Sequence, residues 1–255
     1  MKLTTILSID KLANLVFLTT YFSSLSTAAP TAETHALEKR ALPVLMGLAK
    51  SFGALGGTTL TSTGATAITG TGGVGNGGVW PGSAIVGFPT GTASGVLAPG
   101  TVLAQNGEAA CLTAYNNALS LPATSALPSP NLGGITLHPG IFTFPTQAVT
   151  LSTTLTLDAA GDSTKQFIFK IGTTFTAAAN AKVVLTNSAQ ACNVYFIVGS
   201  SASIGAAAQM KGNLIAYTAI TASNAASNAG TWCALHAAVT LINNALVAQA
   251  GSCPA

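Results

Sequence analysis

Charged side chains are scarce in this sequence. Asp, Glu, Lys and Arg make up 6% of its 255 residues, against roughly 25% in a typical soluble domain. The formal net charge is only +3, and the sequence contains no cluster of Lys or Arg. Proteins that hold a nucleic-acid backbone need such a basic patch. The composition therefore argues against a nucleic-acid partner.

Past residue 40, ionisable side chains are also too few and too scattered for the usual reactive sites. The only acids there are Glu108, Asp158 and Asp162, and the only histidines are His138 and His236. Hydrolytic, metal-dependent and phosphoryl-transfer sites bring several such groups together. We therefore expect no enzyme activity, no cofactor and no metal ion.

A long apolar run occurs only near the N-terminus. Residues 12–25 (LANLVFLTTYFSSL) are mostly apolar and precede the small residues Ser26-Thr27-Ala28, as in a signal peptide and its cleavage site. A membrane anchor is the alternative, but the run is short for a bilayer span. Glu38-Lys39-Arg40 is typical of a dibasic processing site of the fungal secretory pathway. The sequence thus predicts a signal peptide (1–28), a propeptide (29–40) and a single secreted domain (41–255).

Cysteine is rare but even in number. The four cysteines are Cys111, Cys192, Cys233 and Cys253. They contain no CxxC pair, so a zinc site is not expected. In a secreted chain, four cysteines favour two disulfides, and the sequence alone leaves all three pairings open.

Only one segment has the pattern of a helix. Residues 107–121 (GEAACLTAYNNALSL) place Ala110, Tyr115 and Leu119 on one face, and Pro122 closes the segment. Most of the remainder consists of short apolar runs between Gly, Asn, Ser and Pro, which are strand signals. The chain is therefore predicted to be mainly β.

Four apolar stretches repeat along the second half of the chain: FIFKIGTTFTAAA, VYFIVGSSASIGA, NLIAYTAITASN and WCALHAAVTLINN. Their equivalent positions are Ile171, Val198, Tyr217 and His236, spaced 27, 19 and 19 residues apart. A period near 19–20 residues predicts the coils of a β-solenoid, with an inserted loop within residues 180–192. In this alignment His236 takes an inward position, so we expect a buried, neutral histidine there.

The second strand of each coil alternates an inward apolar residue with small outward ones. The outward pairs are Thr154 and Thr156, Thr174 and Thr176, Ser201 and Ser203, Ala219 and Thr221, and Ala238 and Thr240. With strands about 4.8 Å apart, they would form two columns on one flat face. The β propensity of Thr could alone explain such ladders. However, an exposed sheet without charge is an aggregation liability, so the face favours an extended, uncharged partner such as ordered water or crystalline polysaccharide.

Several segments also resemble the ice-binding (antifreeze) proteins of fungi and bacteria. In chain order they are TTLTSTGATAITG, PGSAIVGFPTGT, LTAYNNALSLP, NLGGITLHPGIFTF, LTLDAAGD, FIFKIGTTFTAA, AQACNVYFIVGSSASIG and KGNLIAYTAIT, within about residues 48–247. The resemblance implies an irregular right-handed β-solenoid with one α-helix packed alongside. It also implies adsorption to ice through the flat face, to which it adds Thr59 and Thr61.

Two features depart from the family pattern. The segment GTGGVGNGGVWPG is longer than usual and carries Trp80, which would spoil the flat face if it projected from it. The last coil lacks the usual Arg and Asp but has Cys233. If the helix covers the first strands, Cys111 would meet Cys233, and Cys192 would pair with Cys253.

The isolated polar and aromatic residues have ordinary explanations. His138 is expected in a turn, and Asp158 and Asp162 as turn caps, since a calcium site needs more carboxylates. Tyr115 and Tyr195 are expected to pack the helix against its neighbouring strands. The remaining lysines are expected to be solvated, away from the flat face: Lys165, Lys170, Lys182 and Lys211.

Together with this resemblance, the sequence predicts an extracellular, monomeric protein that does not bind membranes, and the resemblance implies that its partner is the ice surface. The alternative is a cell-wall or surface adhesive protein on the same scaffold, which exposed aromatic side chains on the flat face would favour. A pectinase-like solenoid enzyme is disfavoured because it needs clustered carboxylates.

Overall fold

The computed structural model describes residues 43–70 and 74–249, so the predicted signal peptide and propeptide lie outside the described range. Within that range the chain forms short strands and one long helix, α1 (Val102–Ser120). The strands in chain order are β1 (Phe52–Gly56), β2 (Thr59–Thr63), β3 (Ala67–Thr69), β4 (Asn76–Val79), β5 (Ala84–Val86), β6 (Thr92–Ala93), β7 (Leu97–Pro99), β8 (Ser125–Ala126), β9 (Thr136–Leu137), β10 (Gly140–Thr143), β11 (Val149–Leu151), β12 (Thr154–Asp158), β13 (Phe167–Ile171), β14 (Phe175–Ala177), β15 (Lys182–Thr186), β16 (Val194–Val198), β17 (Ala202–Ile204), β18 (Gln209–Lys211), β19 (Asn213–Ala216), β20 (Ile220–Ala222), β21 (Ser227–Ala229), β22 (Trp232–Ala234), β23 (Val239–Ile242) and β24 (Ala245–Val247).

The strands form three parallel sheets of nine, seven and eight strands, and most coils of the chain contribute one strand to each sheet. Sheet A has the order β7-β4-β1-β22-β19-β16-β13-β10-β8. Sheet B has the order β11-β14-β17-β20-β23-β2-β5, and sheet C has the order β6-β3-β24-β21-β18-β15-β12-β9. This arrangement confirms the predicted β-solenoid with a helix alongside.

The coils are not stacked in chain order. Strand β1 pairs with β4 on one side and with β22 on the other, so the first coil contacts the last one. Helix α1 follows β7, at one edge of sheet A, and precedes β8, at the opposite edge. Its 19 residues span about 28 Å, which matches about six strand spacings of ~4.8 Å. The helix therefore returns the chain along the stack.

The helix begins five residues earlier than the sequence pattern predicts. The Thr101 hydroxyl caps it by accepting a hydrogen bond from the Ala104 amide, and Gly107 lies inside it. A Cβ on Gly107 would come within 2.7 Å of the Phe52 ring, so this glycine lets the helix approach the sheet closely and does not mark a boundary. At the other end, Lys170 Nζ donates to the carbonyl oxygens of Leu119 (2.7 Å) and Leu121 (2.9 Å). Lys170 is thus a cap for the helix C-terminus.

Stacked aromatic rings fill the solenoid interior. Ring centroids are 5.2 Å apart for Phe142 and Phe169, 4.9 Å for Phe169 and Phe196, and 5.1 Å for Phe175 and Phe196. These offset contacts add to the large apolar area that each ring buries. The repeat of inward apolar residues thus becomes one continuous core inside the three sheets.

A second core lies between the helix and the outer side of sheet A. The buried helix face is rich in alanine and contains Tyr115, and it packs with Ile168, Tyr195 and Ile197 of the sheet. The Tyr195 hydroxyl donates to the Val44 carbonyl at 2.7 Å. The predicted packing role of both tyrosines is confirmed, and sheet A is buried on both sides.

The disulfide Cys111–Cys233 joins the helix to sheet A, as expected if the helix covers the first strands. It links residues 122 positions apart, and closing so long a loop restricts the unfolded chain. The other expected bridge, Cys192–Cys253, includes a residue outside the described ranges and stays a prediction.

The register of the repeat differs from the sequence alignment at two positions. Ile171 pairs with Val198, but Val198 pairs with Ala216, and β22 continues this row with Ala234. Tyr217 lies one residue after Ala216 and His236 lies two residues after Ala234, and both are exposed, so the prediction of a buried His236 is wrong. For Tyr217, a one-residue offset reverses the side to which a strand residue points, and His236 lies beyond the end of β22. The longer spacing before Val198 is accounted for by the turn after β15, as predicted.

The corner between sheets B and C repeats a left-handed backbone conformation, with φ of 61° at Asn180, 54° at Ala207 and 59° at Ala225. This conformation costs a residue with a Cβ about 1–2 kcal/mol relative to the right-handed one, whereas Gly adopts it freely.

Ala225→Gly is therefore expected to raise the free energy of unfolding by about 0.5 kcal/mol in denaturant titrations. Ala206, an exposed neighbour of Ala207 without positive φ, is the control. Ala206→Gly should lower stability, and the same sign in both variants would contradict the prediction.

Candidate functional site

The three sheets differ in what their outer sides carry. The outer side of sheet A is covered by the helix. The outer side of sheet C carries the exposed lysines Lys182 and Lys211. Among the described residues, the outward positions of sheet B carry no Asp, Glu, Lys, Arg or His. Sheet B is therefore the uncharged, uncovered face of the solenoid.

A central column of side chains runs across sheet B. It is formed by residues at the middle of successive strands, which the register places side by side. From β11 to β5 the column consists of Thr150, Thr176, Ser203, Thr221, Thr240, Thr61 and Val86. Five of the seven are threonine, and the first and last strands of the solenoid meet within it at Thr240 and Thr61.

A second column lies two residues before the central one from β14 to β5, at the first residue of β2 and β5 and just before the other strands, and therefore on the same side of the sheet. It consists of Thr174, Ser201, Ala219, Ala238, Thr59 and Ala84. We call the two columns together the B face. All the predicted outward residues lie on the B face except Thr154 and Thr156.

The predicted position of Thr154 and Thr156 is wrong. Both belong to β12 of sheet C, where Thr154 pairs with Lys182 and Thr156 with Val184. Thr150 occupies the place on the B face that Thr156 was expected to take. Thr154 was aligned with Thr174 because the two lie 20 residues apart, close to the average period. The coil that joins them is longer than average, so the residue 20 positions before Thr174 lies in sheet C and not in sheet B. The sequence does contain a spacing that would have identified Thr150. It precedes Thr176 by 26 residues, close to the 27 residues between Thr176 and Ser203.

The hydroxyl groups of the B face are available to solvent. No side-chain hydrogen bond within the described parts of the chain involves Thr176, Ser203, Thr221, Thr240 or Thr61. Neighbouring hydroxyls lie about 4.8 Å apart across strands and about 7 Å apart along them. Threonine is also restricted at χ1. The B face is thus a rigid, regular array of hydroxyl and methyl groups that can order water but offers no acid, base or nucleophile pair.

Trp80 lies away from the B face. Its half-buried ring packs with the core beneath the helix and lines a pocket with Leu112 and Leu235. The possibility that Trp80 spoils the flat face is therefore excluded. The large apolar side chain exposed on this sheet, among the described residues, is Val86, which is 55% exposed and ends the central column at an edge strand.

The other polar residues have the expected structural roles. Backbone hydrogen bonds from Ala160 and the side chain of Asn187 lower the pKa of Asp158, and hydrogen bonds from Thr164 lower that of Asp162. Both aspartates are therefore turn caps. His138 Nδ1 contacts the Asp158 carbonyl at 3.3 Å in an exposed turn.

Metal-ligand atoms come together at one place in the described part of the chain, at Glu108, Cys111 and Cys233. Both sulfur atoms belong to the disulfide, so they cannot offer the thiolates that zinc requires.

The sequence matches the family described as Ice-binding-like over residues 54–247. It is 38% identical over 224 residues to an ice-binding protein of Nostoc sp. (strain HG1), covering 88% of this chain and 77% of the relative. The ice-binding protein from the Antarctic ascomycete Antarctomyces psychrotrophicus superimposes with a TM-score of 0.77 at 35% identity, over 82% of this chain and 100% of the other. An ice-binding protein from an Antarctic Biological Consortium gives 0.75 at 36% identity, over 81% and 91%. None of the helices in the described ranges is long and apolar enough to cross a membrane.

Proposed function

The chain belongs to the Ice-binding-like family, and we propose that it adsorbs to ice through the B face and so inhibits ice growth or recrystallisation. The observation that carries the proposal is the contrast between the three sheets. One is covered, one is charged, and one is a bare lattice of small hydroxyl and methyl groups. A flat, rigid and uncharged surface suits a partner that is itself flat, regular and uncharged.

The physical basis of adsorption is the water that the B face holds. Methyl groups next to hydroxyls exclude disordered water, while each hydroxyl anchors one water molecule through a hydrogen bond. Because the spacings repeat in two directions, the anchored waters can join a growing crystal. Many weak contacts formed together then give firm adsorption, and the crystal is blocked between adsorbed molecules.

The proposal includes a secreted monomer that has no enzyme activity and no cofactor, and that binds neither nucleic acid nor membranes. It rests on the apolar run and small residues of the N-terminus and on the lack of clustered ionisable groups. The single secreted domain over residues 41–255 and the Cys192–Cys253 bridge belong to the same proposal. An adhesive surface that stacks sugar rings would need exposed aromatic side chains on the B face, and the aromatic candidate, Trp80, lies under the helix.

The test compares one substitution on two sheets. Thr221 lies in the middle of the B face, between Ser203 and Thr240, so Thr221→Tyr places a bulky ring where the crystal must approach. Thermal hysteresis and the fraction of protein captured by growing ice are expected to fall several-fold. The matched control is Thr156→Tyr on sheet C, which should leave both measurements near those of the unsubstituted protein.

Circular dichroism must show that both variants retain the fold. Equal losses in the two variants would overturn the assignment of the B face. A round, freely growing ice disc in the presence of the unsubstituted protein would overturn the function itself.

A further inference from the structure

A pocket of about 280 Å³ opens between helix α1 and the outer side of sheet A, away from the B face. Leu112 and Leu235 form its apolar walls, together with the ring of Trp80. The helix residue Glu108 also lines it. The pocket therefore combines a mostly apolar lining with one buried polar group, as small-molecule sites usually do.

The carboxyl group of Glu108 has no satisfactory partner among the described residues. The residue is only 8% exposed, and its Oε1 atom is buried with no hydrogen-bond partner. Its Oε2 atom lies 3.5 Å from Cys233 Sγ, which carries no hydrogen because it belongs to the disulfide. Buried polar atoms are nearly always hydrogen-bonded. An unpaired carboxyl at the wall of a pocket points to a ligand that supplies the missing partner.

The surroundings select an uncharged ligand. Burial raises the pKa of Glu108 to about 9, so its carboxyl is neutral at pH 7, and no Lys or Arg lines the pocket. The other titratable group at the pocket is His236, whose Nδ1 lies 2.8 Å from the Tyr217 carbonyl oxygen. Since that oxygen can only accept, Nδ1 is the donor in this contact. A cation would have to displace the proton of Glu108, and an anion would find no Lys or Arg at the pocket.

We propose that this pocket binds a small uncharged molecule that has an apolar body and a hydroxyl or primary amide group. A neutral carboxyl offers one O–H donor and one carbonyl acceptor, and either group can pair with both once the Glu108 side chain turns its buried Oε1 toward the pocket. The apolar body would lie against Trp80, Leu112 and Leu235, which exclude water from the pair. This site is independent of the B face, so its occupation does not require that ice adsorption be correct.

Benzamide is a suitable probe because it joins a primary amide to a single apolar ring. Its binding can be followed by NMR through the indole N–H signals of the two tryptophans. Trp80 lines the pocket, while Trp232 is fully buried in the solenoid interior and serves as the internal control. We expect a saturable shift of the Trp80 signal with a Kd of about 1 mM or tighter, and an unchanged Trp232 signal. Absence of saturation at Trp80 would overturn the proposal.

Variants distinguish hydrogen bonding to the Glu108 carboxyl from simple filling of the pocket. Glu108→Leu keeps the side-chain volume but removes both the hydrogen-bond donor and the acceptor. It should lower the affinity for benzamide about tenfold or more. Glu108→Gln keeps a donor and an acceptor and should stay close to the original affinity. Ala109→Phe, at an exposed helix position that lines the pocket, should block binding without touching Glu108. If Glu108→Leu binds benzamide as tightly as the unsubstituted protein, the proposed pair is wrong.

Discussion

Raising the pH from 5 to 9 is expected to destabilise this protein by several kcal/mol. The cause is Glu108, whose pKa burial raises from 4.5 to about 9. Between these values the folded state keeps a proton that the unfolded state releases, so the unfolded state is favoured as protons become scarce. The stability contributed by the neutral carboxyl is fully present below about pH 4.5 and is lost progressively as the pH rises to about 9. Each pKa unit corresponds to about 1.4 kcal/mol.

The other shifted groups act outside this pH range. Asp158 and Asp162 have pKa values lowered below 3.8 by hydrogen bonds, so their contributions are lost only as the solution becomes strongly acidic. Burial raises the pKa of Tyr195 above that of a free tyrosine, so this hydroxyl keeps its proton throughout. The slope between pH 5 and 9 therefore belongs mainly to Glu108.

Glu108→Gln, which does not titrate, is the variant that isolates this effect. Guanidinium unfolding at pH 5, 7 and 9 should give a steep fall in the free energy of unfolding for the unsubstituted protein. For Glu108→Gln the same series should be nearly flat. Parallel slopes would mean that the carboxyl is not buried in the folded protein, and would also remove the basis of the proposed ligand pocket.

Phe196→Ala is expected to lower the free energy of unfolding by about 3–5 kcal/mol. Phe196 is 1% exposed, and its ring contacts those of Phe169 and Phe175 at the centre of the interior stack. Removing it leaves a cavity that the flanking coils cannot close, because the hydrogen-bonded strands keep their spacing. Phe175 lies in the B face strand between Thr174 and Thr176, so ice adsorption should also weaken as that strand loses its support.

The control for this substitution is an aromatic residue on the outside. Tyr217 is 45% exposed, and its ring packs beside those of Tyr115 and His236 at the surface, so Tyr217→Ala should cost about 1 kcal/mol or less. Both values can be measured by the same denaturant titration. A loss for Phe196→Ala no larger than that for Tyr217→Ala would contradict the interior stack.

The architecture could be predicted from the sequence because the interior is periodic. Phe167, Val194 and the residues that follow them recur as inward positions, and a packed solenoid needs such a recurrence. The pairing of Cys111 with Cys233 followed from placing the helix over the first strands. These features depend on patterns that persist along many residues.

The register could not be predicted because it depends on the lengths of individual corners. In the corner between sheets A and B, four positions separate Ala216 from Ile220, whereas five separate Ala234 from Val239. One extra residue in a corner leaves the average period almost unchanged, yet it reverses the side to which the aligned residue points. The misplacement of Thr156 has the same origin, since an alternating Thr-Leu strand fits sheet B and sheet C equally well.

The stacking order of the coils has a consequence for how the chain folds. One side of the first coil is covered only by the last one, and the Thr231 hydroxyl donates to the Phe52 carbonyl, 179 residues earlier. Contacts between such distant residues slow folding because a long loop must be closed first. During synthesis, the open edge of the N-terminal coils stays uncovered until the C-terminal residues have been made. A truncation that removes the last coil would take out a middle layer of the stack, and with it the join that makes the B face continuous.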